Sequence, residues 1–268
     1  MKKNTYNFPV EMVPIEALRP VDGGKGREHI AIPKRFAVVR TDTLKPLGVV
    51  SDKYGIVTHG AMIDGFRKAV AGQNVEEKIS LTHGGAKLAM KMTFADVRIK
   101  VDNGDEVAMQ LIAKNSYDGT NALTILFGAF RVVCSNGMII GRKFIHFSRK
   151  HVGDAAEVRV EEIVKQVGML TEAFERTGPM LKQMAGAGLK NTVEDFFSPK
   201  RLRLPEYLAA AARTSFEGGK DQTVWGAYNT LTSVITHSMK EDATEDTRIR
   251  YGRNAWEAAR REIGLVEK

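Results

Sequence analysis

The chain has little cysteine, no long apolar run and, over one extended window, no acidic residue at all. A single cysteine, Cys134, among 268 residues excludes an intramolecular disulfide framework and a cysteine-built zinc site. No apolar stretch approaches the about 18 residues that a membrane-spanning helix needs. The opening MKKNTYNFPVEMVP has two lysines but no apolar core behind them, so a secretory leader is not expected and a reducing cytoplasm is. The histidines show neither HxxxH nor HExxH spacing, which leaves a zinc motif without support. Gly84-Gly85-Ala86-Lys87 lacks the spacing of a nucleotide phosphate loop. A metal nuclease would want clustered carboxylates on strand ends, whereas Asp102, Asp105 and Glu106 flank a hairpin and most other acids fall in helical text. No cofactor is expected.

What is present is an ordinary globular composition, 43% hydrophobic and 27% charged. Forty Lys+Arg stand against 32 Asp+Glu, a net charge of +8 that attracts phosphate polyanions and acidic surfaces. The surplus is concentrated. Between Asp118 and Asp154 there is no acid, while Arg131, Arg142, Lys143, Arg149 and Lys150 fall there beside His146 and His151. The surrounding text is rich in β-branched and aromatic residues and reads as strands. A cationic stripe on a sheet would track a phosphate backbone, with Lys87 and Lys91 as a second tier delivered by the Gly84-Gly85 turn to the same face. Phe147, between Lys143 and Arg149 on one strand face, would be a base-stacking platform. The bland reading is that the phenylalanines are core and the cations only keep the opposite face soluble.

Periodicity divides the chain into segregated halves. Residues 1–35, with Pro9, Pro14, Pro20 and Pro33, read as an extended arm holding at most one short strand. Residues 36–155 read as a β-rich core: strands at Phe36–Thr41, Leu47–Val50 and Tyr54–Val57, then a helix on which Met62, Ile63, Phe66 and Val70 recur. Ile79–Leu81, Ala86–Phe94, Val97–Val101 and Val107–Ala113 follow as an antiparallel meander, with Asn103-Gly104 as a hairpin signal. Residues 156–268 read as helical. Val160, Ile163, Val167, Leu170 and Phe174 form one apolar face, Pro205 opens a further helix, Asp221 caps another, and Ile249, Trp256, Ala259 and Ile263 line the last. Segregated strands and helices define an α+β class, a meander with a basic face packed by a long helix and followed by a helical C-terminal part.

The string Asn115-Ser116-Tyr117-Asp118-Gly119-Thr120 interrupts two strand runs. Asn115, Asp118 and Thr120 would coordinate a metal or order a loop over a ligand; as a plain turn, Asp118 would bond backbone amides. Cys134, followed by Ser135-Asn136-Gly137, would be a nucleophile only with a histidine such as His146 or His83 in reach, and a buried free cysteine is the commoner case.

Three strings, Leu47–Phe66, the Gly84-Gly85 turn before AKLAMKM, and Asn115–Met138, resemble the phage/plasmid-like protein family of bacteria and phages, a domain of unknown function numbered nine hundred and thirty-two. Its members carry an N-S-H-D-G-[ST] turn, an R-V-V-C-[ST]-N strand and a later Trp-Tyr-Asn helix, which Thr223–His237 resembles. Tyr117 stands where histidine is usual, which argues against a catalytic or metal role for that side chain. The resemblance runs over about residues 35–265 and brings no settled activity. In layout alone the chain is also similar to the Rad-type single-strand annealing proteins, which form rings or filaments on single strands.

These readings converge on an ATP-independent single-stranded DNA-binding and annealing protein of phage or mobile-element origin, acting in the host cytoplasm as a homo-oligomer. A phage exonuclease or a host single-strand-binding protein is an expected partner, and a membrane is not. Two alternatives stand beside it: an enzyme with a pocket around Asn115, Asp118 and Cys134, and a non-catalytic phage interaction protein.

Overall fold

The computed structural model describes residues 6–21, 23, 26–102, 105–121, 123–131, 136–138, 147–149, 160–240 and 243–265. The architecture is α+β: strands occupy the N-terminal part of the described chain and helices the C-terminal part.

The N-terminal part departs from the expected arm. Strands β1 (Val10–Val21) and β2 (Gly26–Arg40) form one long antiparallel hairpin, and β3 (Pro46–Ser51) pairs with β2 only from Arg35 to Val39. Most of the outer hairpin is exposed on both faces, so it has no alternation of apolar and polar residues to betray it. The inner ends of these strands pack a small second core of Phe8, Val38, Leu47, Val50, Ala86 and Tyr117. The text at Tyr54–Val57, expected as a strand, is instead an irregular lead-in to helix α1 (His59–Ala69), which Thr58 caps by accepting from the Ala61 N–H.

The central sheet runs β4 (Val75–Thr82), β5 (Lys87–Asp102), β6 (Asp105–Ser116) and β7 (Leu123–Arg131), all antiparallel neighbours. The short strands β8 (Asn136–Met138) and β9 (Phe147–Arg149) each pair with β7. The two strands expected at Ala86–Phe94 and Val97–Val101 are one strand, β5, with a register shift between Phe94 and Arg98. A bulge breaks the period of two without ending the pairing, which is why it reads as a turn in sequence.

One face of the sheet carries Leu88, Met90, Met92 and Phe94 beside Met109, Leu111, Ala113, Leu123 and Ile125. The helices cover it. Met62, Ile63 and Phe66 of α1, Val167 and Phe174 of α2 (Val160–Glu175), and Leu181 and Met184 of α3 (Gly178–Ala185) join it in a continuous core. The short helices α4 (Val193–Phe196) and α5 (Pro199–Leu202) lead into α6 (Glu206–Glu217), opened by Pro205 as expected. Next come α7 (Val224–His237) and α8 (Glu245–Glu262), whose aromatics Trp225, Tyr228 and Trp256 are all buried. The cap of α7 is Thr223 rather than the expected Asp221. Asp221 accepts from the Thr223 N–H and hydroxyl at 3.1 and 2.5 Å, and Thr223 in turn accepts from the Gly226 N–H.

Candidate nucleic-acid interface

The second face of the central sheet is polar. Along β4, Glu76, Lys78, Ser80 and Thr82 alternate outward while Val75, Ile79 and Leu81 turn toward the core. Register continues this row through Thr93, Lys91, Ala89 and Lys87 of β5, then Gln110, Ile112, Lys114 and Ser116 of β6, and Thr124 of β7. Lys78 lies directly opposite Lys91. The two lysines bring positive charge together on this face.

Lys114 is buried and ion-paired with Asp246 in the first turn of α8, and Ile112 meets Ile249 one turn on. Helix α8 therefore begins across this polar face at β6, whereas Glu76, Lys78, Ser80 and Thr82 of β4 are exposed and Lys87, Lys91 and Thr93 of β5 half-buried. At the near end, a 3-10 turn at His83–Gly85 has positive φ at all three residues. A Cβ on Gly84 would sit 2.7 Å from the Lys45 Nζ, so glycine there admits the lysine above the turn. Lys87, Lys91 and Lys78 thus share one face of β4 and β5, with the Lys45 ammonium beside the turn that joins these strands.

Of the residues expected to hold phosphate, Lys87 and Lys91 are in this row. Arg142, Lys143 and Lys150 lie outside the described residues. Arg131 lies in β7, paired with Val107, and Arg149 in β9, paired with Leu123. Lys45 and Lys78 are the additions that sequence reading missed. The alternation in Val75–Thr82 carried the signal for Lys78, whereas Lys45 reaches the row only through the packing of two separate sheets.

The Asn115–Thr120 turn has a structural occupation. Asp118 accepts from both the Thr120 N–H and its hydroxyl at 3.0 and 2.6 Å, and pairs with Lys87 at 3.5 Å. Burial alone would raise the Asp118 carboxyl; the Thr120 hydrogen bonds, with Ser116 and Lys87, outweigh it and hold the group below its ordinary range. Gly119 takes φ of 70°, and Gly48 of β3 lies so close that a Cβ there would be 2.3 Å from the Asp118 Cα. Asn115 is buried. Its amide donates to the Val57 carbonyl at 2.8 Å and to the His59 Nδ1 at 3.0 Å, which leaves the His59 proton on Nε2, facing the Gly85 carbonyl at 3.0 Å. The Asn115 carbonyl oxygen has no hydrogen-bond partner. The backbone N–H of His59 donates to the buried Tyr117 hydroxyl at 2.7 Å, and the ring of Phe8 packs edge-on against His59 and Tyr117. Both His59 nitrogens are thus occupied, and the network joins α1, β6 and the N-terminal segment rather than presenting a reactive group. Cys134 lies outside the described residues. Among those described, no three His, Cys, Asp or Glu side chains cluster as a metal site would require.

An α+β chain with a helix-covered sheet face and a polar, lysine-bearing opposite face is the class these observations define. The chain belongs to the family described as a domain of unknown function (DUF932), whose profile matches residues 46–256. It is also similar to two curated proteins of Escherichia coli (strain K12), UPF0380 protein YfjQ and UPF0380 protein YafZ. Each is 32% identical over 71 residues, a stretch covering 26% of this chain and 26% of the relative. No solved structure matches the chain. Among the described residues no helix is long and apolar enough to cross a membrane.

Proposed function

We propose that this chain binds single-stranded nucleic acid, DNA first, and promotes strand annealing without a nucleotide cofactor. The observation that carries the reading is the set of cations Lys87, Lys91 and Lys78 on one sheet face, with Lys45 at the turn joining β4 and β5. Lys78 and Lys91 lie directly opposite each other, so one phosphate backbone would meet both. The net charge of +8 adds a long-range attraction of the same sign. The polar residues of β4 and β5 would hold the backbone and leave bases outward for pairing. Under this reading the chain works as a homo-oligomer along the strand, in a phage or mobile-element setting, with a phage exonuclease or a host single-strand-binding protein as partner. The similarity in layout to Rad-type annealing proteins belongs to the same proposal.

Replacing Lys78 and Lys91 together by alanine tests it. Each phosphate contact contributes about 0.7 to the slope of log affinity against log salt for a single strand, so the double variant flattens that slope by about 1.4. An unchanged slope with unchanged affinity places binding elsewhere. The enzyme reading, centred on Asn115, Asp118 and Cys134, has less to stand on, because Asn115 and Asp118 are spent on the turn and the His59 network.

A further inference from the structure

The end of β6, the start of α1 and the His83–Gly85 turn meet at His59, whose side chain is fully buried. Two carbonyls fix the arrangement of protons there. Gly85 offers only an acceptor, so the His59 Nε2 opposite it at 3.0 Å carries a hydrogen. Val57 likewise offers only an acceptor, so the Asn115 atom opposite it at 2.8 Å is the amide nitrogen. That nitrogen also donates to the His59 Nδ1 at 3.0 Å, which requires Nδ1 to be without a hydrogen. The Asn115 oxygen has no hydrogen-bond partner among the described residues, so Val57 and His59 alone set the orientation of this amide. His59 is thereby held in its neutral form.

A second proton on the ring has one place to go, Nδ1. It would set an N–H against the Asn115 NH2, donor against donor. Turning the amide over would give Nδ1 an acceptor, but would set the Asn115 oxygen against the Val57 carbonyl, acceptor against acceptor. Either way a buried polar group loses its bond, which is costly. The titratable and charged groups around the ring are committed elsewhere. From β6, the Tyr117 ring lies 4.0 Å away with its hydroxyl on the His59 backbone N–H, and Asp118 is bound to Thr120 and Lys87. From the first sheet, Arg40 stacks on Phe8, whose ring meets His59 edge-on, and pairs with Asp42. Its positive charge opposes a second one nearby. Tyr54, in the lead-in, donates its hydroxyl to the Ser116 carbonyl. On α1 itself Asp64 is exposed, as is His83 in the turn.

The geometry points to a proton-operated latch: His59 joins α1, β6 and the His83–Gly85 turn only while neutral, and uptake of a proton opens the junction. The closed junction holds one proton fewer than the open chain, in which a histidine titrates near about 6.5. Its stabilisation is therefore complete above that pH and is lost as pH falls below it. This window lies above the range near about 4 in which carboxylates such as Asp118 protonate. The latch is independent of what the lysines of β4 and β5 bind.

The test is urea unfolding of the full chain and of H59Q between about pH 7.5 and about pH 5, with imidazole nitrogen NMR shifts followed over the same interval. Below about pH 6.5 the unfolding constant of the unaltered chain rises, relative to that of H59Q, by about tenfold per pH unit, the signature of one proton taken up on opening. While the fold persists, His59 keeps the shifts of a neutral ring with its hydrogen on Nε2. N115D gives a second reading should H59Q not fold. Its carboxylate accepts from a protonated Nδ1, so the pH dependence over this interval reverses. The same pH slope in H59Q as in the unaltered chain overturns the latch, and so does an N115D slope of unchanged sign. A His59 ring that titrates near about 6.5 with the fold intact overturns it directly.

Discussion

Tyr117 sits where β6, α1 and the N-terminal segment meet, and its hydroxyl accepts from the buried His59 N–H. Replacing it with phenylalanine leaves that N–H without a partner and should cost about 1–3 kcal/mol, readable in urea unfolding. Burial pushes the Tyr117 hydroxyl up to about 12, and burial moves Tyr54 and Tyr228 in the same direction. The folded chain thus keeps these protons where an unfolded chain, with tyrosines near about 10, loses them. Their stabilisation is complete below about pH 10 and is lost as pH rises toward 12. Unfolding free energy that stays flat over that interval would contradict the buried-hydroxyl account. Gly48 makes a steric prediction. An alanine Cβ there would meet the Asp118 backbone at 2.3 Å, so G48A should lower stability by about 1–3 kcal/mol and loosen the turn that holds Lys87.

At the scale of elements, the two ends of the helical part hang on specific groups. Thr223→Ala removes the side-chain cap of α7 and should cost about 1 kcal/mol in thermal or urea unfolding. If Asp221→Ala costs more than T223A, the order of this two-residue cap is reversed. At the end of α8, Glu262 is buried against Arg201 and accepts from the Lys190 and Asn191 N–H groups and from the Asn191 side chain. Burial opposes its charge, but those hydrogen bonds and Arg201 outweigh burial and lower its carboxyl below the ordinary range, as they do for Asp118 in its own turn. Both groups contribute stability that is present above the unfolded carboxylate range and lost as pH falls below about 4. E262Q should remove part of that acid limb and destabilise by on the order of 3 kcal/mol, since Arg201 loses its buried partner.

These elements differ in how readily the sequence betrays them. The helices were legible because apolar residues recur at the helical period and the caps are of ordinary types; Ile249, Trp256, Ala259 and Ile263 are all buried as the period requires. Strand β4 announces itself by strict alternation. The β1–β2 hairpin does not, because a ribbon exposed on both faces has no inward side to mark. The candidate site was legible only in part. Asn115, Asp118 and Thr120 form the turn that their types favour, and Lys87 and Lys91 share one sheet face. His59, Tyr117 and Phe8 come together from three distant segments through packing, which no local spacing reports.

At the scale of the whole molecule, the sheet uses its two faces differently. One is sealed by helices into the core, while the other meets α8 at β6, where Ile249 and Asp246 meet Ile112 and Lys114, and is exposed along β4. Lys78 is exposed on β4 and Lys87 and Lys91 half-buried on β5, and the exposed hairpin extends from the second sheet. Division of this kind lets the core be optimised for packing while the polar face carries charge at little cost to it.

The central claim is that the lysine row holds a single-stranded phosphate backbone. Its most direct test is fluorescence-anisotropy titration of a labelled single strand at low and moderate salt, with the unaltered chain and with K78A/K91A side by side. The account predicts salt-sensitive binding whose slope flattens by about 1.4 in the variant. Identical curves for the two proteins, or no single-strand binding by either, would contradict it.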